Sequence, residues 1–345
     1  MQSRSVQAPL SRSLQTAWAC MLVAGLLSLG GCGSIEVALG LRMRLDKIPV
    51  SAVTAALSPD PGLAPGQSGR LILVASTDDG KSYVTAGAGH GKVLFDSYSL
   101  TSTVAQVSKK GKVSLSADPR MSEGLSPHVH VTVIGHPEVV ADLDVPVRYD
   151  VAFAGHFPGR AGLDGRNGLD GMAGSSGSSG SSDPNNPSAG GSGGNGGDGE
   201  NGTDGDPGQP GQSVQVWITL RAGSQPLLQV RAASKALQQL FLVDPKGGSL
   251  LIDANGGAGG SGGRGGRGGP GGNGGSGSPP GFSGSSGQDG HNGWDGAPGA
   301  AGKIQVSIDP SAQPYLDHFT FANKTGNGVA GAPPVITVAP VGALW

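Results

Sequence analysis

Two stretches of the chain, Gly190-Gly191-Ser192-Gly193-Gly194 and Gly259-Gly260-Ser261-Gly262-Gly263, have the G-x-S-x-G spacing that can present a nucleophilic serine. That elbow works only between a strand and a helix, where a tight turn lifts the hydroxyl clear of a sheet. Here both flanks are triplet glycine, so the match is a by-product of composition. G-x-G-x-x-G recurs for the same reason, without the βαβ frame that would aim it at a dinucleotide. Neither Gly80-Lys81-Ser82 nor Gly302-Lys303 has the upstream glycine of a phosphate-binding loop. Gly193-Gly194-Asn195-Gly196-Gly197-Asp198 begins like a calcium-binding nonapeptide, but Glu200 stands where an apolar residue should point inward and no nine-residue repeat follows. Asp198, Asp204 and Asp206 therefore read as solvated acids on a rod, with calcium binding as the alternative. His128 and His130 lie two apart, on one face of a strand, a spacing that can hold zinc. No third ligand is identifiable, and both read as surface or edge residues. Arg264-Gly265-Gly266-Arg267-Gly268-Gly269 has the pattern of an RNA-binding arginine–glycine segment, but two arginines are too few. The expectation is no catalytic residue, no cofactor and no metal site. An envelope enzyme accessory or hydrolase is a distant alternative, backed by no Ser/His/Asp set.

What elements position these residues depends on where the glycine sits. Of 345 residues 65 are Gly, and 42 of those fall within 159–211 and 256–302. Such stretches cannot build an apolar core, so any core must come from the remaining segments. Charged residues make up only 14%, and the formal net charge is −2. No basic field exists to hold a nucleic acid, and none is expected as a partner.

The N-terminus reads as a targeting segment. Residues 1–18 carry Arg4 and Arg12 and no acid, and the apolar stretch Ala17–Leu29 follows. A positive start, an apolar run of this length and small residues before the cut describe a secretory signal, and the run is too short for a spanning helix. Leu29-Gly30-Gly31-Cys32 resembles the lipobox of bacterial lipoproteins. The resemblance implies removal of 1–31, acylation of the Cys32 thiol and a membrane partner reached through that lipid anchor. Lipoproteins retained in the inner membrane often have Asp after the cysteine; Gly33 stands there, which points to the outer membrane. Cys20 would leave with the signal and Cys32 would carry lipid, so the mature chain would have no disulfide and no thiol nucleophile.

Residues 33–150 read as a β-sandwich. Leu41, Met43 and Leu45 alternate with Arg42 and Arg44, and further runs are 71–75, 93–95, 104–107, 113–115, 129–134 and 139–147. Pro59-Asp60-Pro61-Gly62, Asp78-Asp79-Gly80, Lys109-Lys110-Gly111 and Gly135-His136-Pro137 supply turns between them. The order of Leu63-Ala64-Pro65-Gly66-Gln67, Asp79-Gly80-Lys81-Ser82 and Val104-Ala105-Gln106-Val107…Gly111-Lys112-Val113 resembles bacterial Ig-like domains of surface proteins. The tryptophan usual in that family's central strand is missing, with Phe95 the nearest substitute.

Residues 151–345 hold four glycine-triplet runs, 159–180, 190–211, 256–277 and 281–302, each of 22 residues with Gly at every third place. Period three without an apolar moment means polyproline-II-type geometry, about 3.1 Å per residue, so each run is roughly 65–70 Å long. Such a rod makes no internal hydrogen bonds, and its glycine face lets a second backbone come within bonding distance. Equal rods joined by Asp183-Pro184-Asn185-Asn186-Pro187 and Ser278-Pro279-Pro280 predict a four-rod antiparallel polyglycine-II bundle in one chain. A collagen-like homotrimeric stalk is the alternative. The third run is Gly-Gly-x almost throughout, as befits a rod with at least two neighbours. This geometry resembles polyglycine-II bundles in certain phage tail-tip adhesins, in glycine-rich antifreeze proteins and, in shape alone, in the N-terminal domain of Obg GTPases.

The runs belong to a duplicated unit, rod–turn–rod–strand–Gln-Pro–strand. Val214–Leu220 with Gln225-Pro226 follows the second run; Ile304–Ile308 with Gln313-Pro314 follows the fourth. These strands, with 237–243, 250–252 and 335–338, would pair into a basal β-structure. Phe282, Asn185 and Asn186 form a candidate recognition tip at the turn end, for a surface protein or a glycan. Trp294, Leu169 and Met172 are expected to form a packing latch, if the two outer rods are adjacent. The reading is a mainly β, monomeric, non-enzymatic surface lipoprotein, structural or adhesive.

Overall fold

The computed structural model of the chain describes residues 36, 37, 39–221, 223 and 225–345. The expected signal segment, 1–31, and Cys32 lie outside them. The protein is mainly β and divides into two compact units between Arg148 and Tyr149.

Among the described residues the first unit has β1 (Val50–Ser58), β2 (Ser68–Thr77), β3 (Ser82–Val84), β4 (Tyr98–Thr103), β5 (Gln106–Val107), β6 (Lys112–Ser114), β7 (His128–Val133) and β8 (His136–Asp144). One sheet runs β1-β2-β6-β5, with β3 on β2; the other runs β4-β7-β8. Alternation sets the inward face: Leu71, Leu73 and Ala75 of β2 and Val129 and Val131 of β7 are fully buried in one shared core.

Two departures from the sequence pattern have local causes. The alternation at 41–45 forms no strand: Met43 makes a lone bridge to Val93, Leu41 is exposed and Leu45 is buried. The strand β1 was hidden because a register shift between Val50 and Ala52 puts Val50 and Val53, three apart, both into the core. Phe95 opens a short 3-10 turn and packs against the core, its ring over Gly111, where a Cβ would collide with it.

The second unit has β9 (Ala152–His156), β10 (Val214–Arg221), β11 (Leu227–Ala233), β12 (Gln238–Val243), β13 (Ser249–Asp253), β14 (Ile304–Ile308), β15 (Phe319–Ala322) and β16 (Val335–Val338). A five-stranded sheet runs β12-β11-β10-β14-β16 and a three-stranded one β15-β13-β9. Val216, Ile218, Val230, Ile252, Val306 and Ile308 are buried at their common core. The duplication does not persist as expected. In the first copy Gln225-Pro226 leads into β11, which folds back antiparallel on β10. In the second, Gln313–His318 is a 3-10 segment and β15 joins the other sheet, parallel to β13.

What the copies do share is a strand on each side of the rods. β9 and β13 pair in parallel and lead into the first and third runs; β10 and β14 pair in parallel and receive the second and fourth. The sheet ladder continues without a break: Phe157 N–H donates to Asp253 O at 2.7 Å and Gly159 N–H to Asn255 O at 2.8 Å. The base therefore sets the register of the glycine runs.

Candidate recognition surface of the glycine runs

The four runs bond to one another in five ladders of seven backbone hydrogen bonds, each extended to eight by a bond that uses a residue just outside a run. Run 1 (159–180) donates to run 3 (256–277) in parallel, from Gly159 N–H to Asn255 O through Gly180 N–H to Ser276 O. Run 2 (190–211) donates antiparallel to run 1, and in parallel to run 4 (281–302), as in Gly205 N–H to Trp294 O at 2.9 Å. Run 3 donates antiparallel to run 2, and run 4 antiparallel to run 3. Runs 2 and 3 thus form the shared diagonal of a four-cornered arrangement, with runs 1 and 4 at opposite corners.

Successive groups in one run point to different neighbours. In run 2, Gly193 N–H donates to run 4, Gly194 N–H donates to run 1, and Gly194 O accepts from run 3. A β-strand bonds in one plane, whereas three directions per triplet need three residues per turn. The second glycine of each run 3 triplet, from Gly257 to Gly275, is buried at the centre. A Cβ at Gly263 would sink into the Arg166 carbonyl of run 1. The second place in run 2 is different. Its Gly197 is exposed, the nearest atom to an added Cβ is Met172 N at 3.2 Å, and Glu200, Thr203, Asp206 and Gln209 already occupy equivalent places.

A second set of bonds comes from side chains at the third place of each triplet. Asp164, Asn167 and Asp170 of run 1 accept from Ser261, Arg264 and Arg267 N–H of run 3, at 2.7–2.9 Å. Asp289, Asn292 and Asp295 of run 4 accept from Gly268, Gly265 and Gly262 N–H. Asn195, Asp198, Asn201 and Asp204 of run 2 accept from Ser285, Gln288, His291 and Trp294 N–H of run 4. Backbone donors that no rod can reach are satisfied by a short acceptor on the neighbouring rod. Asp198 and Asp204 are thus structural acceptors rather than free solvated acids. The signal for them was present as G-x-[DN], a short acceptor at the third place of the triplet.

The expected latch does not form. Trp294 is 80% exposed, Leu169 68% and Met172 85%. Runs 2 and 3 are bonded along their whole length and hold runs 1 and 4 apart, so the outer rods are not adjacent. Leu163, Leu169 and Met172 share the second triplet place with Arg160 and Arg166 and make one exposed line along run 1. At the turn end, Phe282 is 83% exposed and Asn185 and Asn186 are exposed. The first turn is closed by Asn185 N–H to Asp183 Oδ1 at 2.9 Å and Ser188 N–H to Ser181 O at 2.9 Å. Because runs 1 and 3 are parallel, both turns lie at the same end.

In the first unit, His128 and His130 sit on β7, the middle strand of its sheet rather than an edge. Cross-strand pairing with β8 brings acids to them: His128 Nδ1 lies 2.9 Å from Asp144, its Nε2 2.9 Å from Asp142, and His130 Nδ1 2.7 Å from Asp142. The Asp144 and Asp142 carboxylates raise the His128 pKa above its ordinary value; hydrogen bonds from His130 and His128 lower that of Asp142. No group of three or more residues placed to hold a metal ion occurs among the described residues.

No family model matches the chain, nor does any curated protein or solved structure.

Proposed function

We propose that the protein is an exported lipoprotein, acylated at Cys32, that holds a rigid polyglycine-II rod bundle at the cell envelope, in the outer membrane by the residue that follows the cysteine, in a non-enzymatic structural or adhesive role. The first unit is read as an Ig-like domain. The observation that carries the reading is the set of five eight-bond ladders, in which one chain supplies its own hydrogen-bond partners. That set speaks against the collagen-like trimer, where each run would take its partners from two other chains. A scaffold stabilised mainly by backbone bonds leaves side chains outside the Asp and Asn acceptors free for display, and the exposed Phe282, Asn185 and Asn186 at the turn end are suited to that use.

The test is Cys32→Ser in the native cell. Wild-type protein should take up labelled palmitate, partition into detergent and bind an antibody to the 183–187 turn on intact cells. The variant should lose the label and leave the membrane fraction. Unchanged palmitate uptake, or a turn reachable only after lysis, would overturn the proposal.

A further inference from the structure

The outer face of the five-stranded sheet carries cations that have no ion-pair partner among the described residues. Trp217 on β10 stands opposite Arg231 on β11 and beside Ser307 on β14. One step along the strands toward the rods, on the same face, Gln215 stands beside Gln305, their amides 3.4 Å apart. Lys303 precedes β14 and Lys235 follows β11. Two adjoining hollows open here. One, of about 350 Å³, is lined by Trp217, Arg231, Ser307 and the tail from Ala339 to Leu344. The other, of about 490 Å³, is lined by Gln215, Gln305, Lys235 and Lys303 among others. Neither has an acidic residue in its lining.

Arg231 lies over the Trp217 ring, 4.2 Å from its centre, and its Nε–H is buried without an acceptor among the described residues. Arg231, Lys235 and Lys303 have no ion-pair partner there, in a chain whose net charge is negative. Asp309, at the end of the same face, is already engaged by Ser311 and by Val341 N–H of the tail, which lower its pKa. The tail is itself pinned across the sheet, by Thr219 Oγ1 to Val341 O at 3.1 Å and Leu344 N–H to Gln229 Oε1 at 3.3 Å.

We propose that this groove binds an acidic oligosaccharide. Arg231 and the two lysines meet its carboxylates, the amides and hydroxyls of Gln215, Gln305 and Ser307 meet its hydroxyls, and a sugar ring lies against Trp217. An acidic peptide is the poorer fit, because the lining offers amides and hydroxyls rather than apolar side-chain pockets. A planar guanidinium is suited to a carboxylate, and a charge-assisted bond in a sheltered site outweighs a neutral one. The assignment gives the adhesive reading its ligand class, but the groove itself does not depend on the lipid anchor.

The test is titration of the full chain with hexagalacturonate, followed by calorimetry and tryptophan fluorescence, with maltohexaose, hexaglutamate and inorganic phosphate as comparisons. Hexagalacturonate should bind, and Trp217→Phe should remove the fluorescence change. Arg231→Gln should weaken binding by about tenfold or more, since a charge-assisted contact is lost. Lys235→Gln and Lys303→Gln, both on exposed side chains where misfolding is not expected, should each weaken it severalfold and flatten its salt dependence. The proposal is overturned if maltohexaose binds as well, if the lysine variants bind like wild type, if phosphate competes at equal concentration, or if hexaglutamate binds more tightly. Failure here with normal Cys32 acylation would leave the envelope assignment standing, and the reverse holds equally.

Discussion

Replacing Gly263 by Ala should damage the protein far more than replacing Gly197, although both are the second residue of a Gly-Gly-x triplet. The methyl of Gly263→Ala would enter the Arg166 carbonyl of run 1. Run 1 must then retreat around Arg166, where four bonds cross to run 3: Gly165 N–H to Ser261 O, Gly168 N–H to Arg264 O, and the Asp164 and Asn167 acceptors on Ser261 and Arg264 N–H. At roughly 0.5–1.5 kcal/mol net for each bond, losing three or all four costs about 1.5–6 kcal/mol. For a unit of this size that is a fall of roughly 3–24 °C in Tm. In Gly197→Ala the methyl needs a few tenths of an ångström from Met172 N. The loss of unfolded-chain entropy, about 0.4–1 kcal/mol in favour of folding, offsets that strain. Its Tm should stay within a few degrees of wild type. Calorimetric melting of the two variants decides the matter, and amide exchange at Gly165 and Gly168 localises the damage. Equal losses, or a harmless Gly263→Ala, would refute the assignment of run 3 to the centre.

The side-chain acceptors predict that Asp170→Ala lowers stability by about 0.5–1.5 kcal/mol while Asp170→Asn, which keeps the acceptor oxygen, changes it little; chemical denaturation of the three proteins checks this. Trp294→Ser and Leu169→Ser, singly and together, should be nearly neutral and additive in thermal melts, because runs 2 and 3 separate the two residues. His128 titrates above its ordinary value of 6.5, so its pairing with Asp144 and Asp142 stabilises the first unit fully below pH 6.5 and is lost as pH rises through the raised value. Asp142, lowered from 3.8, adds stability that is present above that pH and disappears as pH falls through its lowered value. An NMR titration should place the His128 midpoint above 6.5, and a midpoint at or below it would refute the pairing.

The period of three, the four equal lengths and the central place of run 3 were legible in the sequence, because a stripe of second glycines from Gly257 to Gly275 has no other physical use. The inner place of run 2 was not. Glu200, Thr203, Asp206 and Gln209 make it look peripheral, and only the hydrogen-bond pattern shows that their Cβ atoms lie on an open side. Acids at every third residue look alike in sequence whether or not a neighbour's N–H is within reach, so the roles of Asp198 and Asp204 needed the register between rods. The latch failed for a related reason. Equal rods can occupy four corners in more than one order, and neither composition nor spacing says which pair shares the diagonal. In the base, β10 and β14 were plain from their alternating Val and Ile. β9 and β15 are short and carry Ala, Gly and Thr between their aromatics, and their strand character comes from pairing with β13. Trp217 and Arg231 meet only through the β10–β11 register, which no local pattern fixes.

Amide hydrogen exchange on the full chain, read at single glycines across a wide range of protein concentration, tests most directly whether one chain supplies all the partners of its own rods. The ladders predict slow exchange at Gly162, Gly193 and Gly284 alike, unchanged on dilution, in a species of monomer mass, 34.0 kDa for the whole chain. Exchange at the rate of an open chain, or protection that vanishes on dilution together with a species of three times that mass, would contradict it.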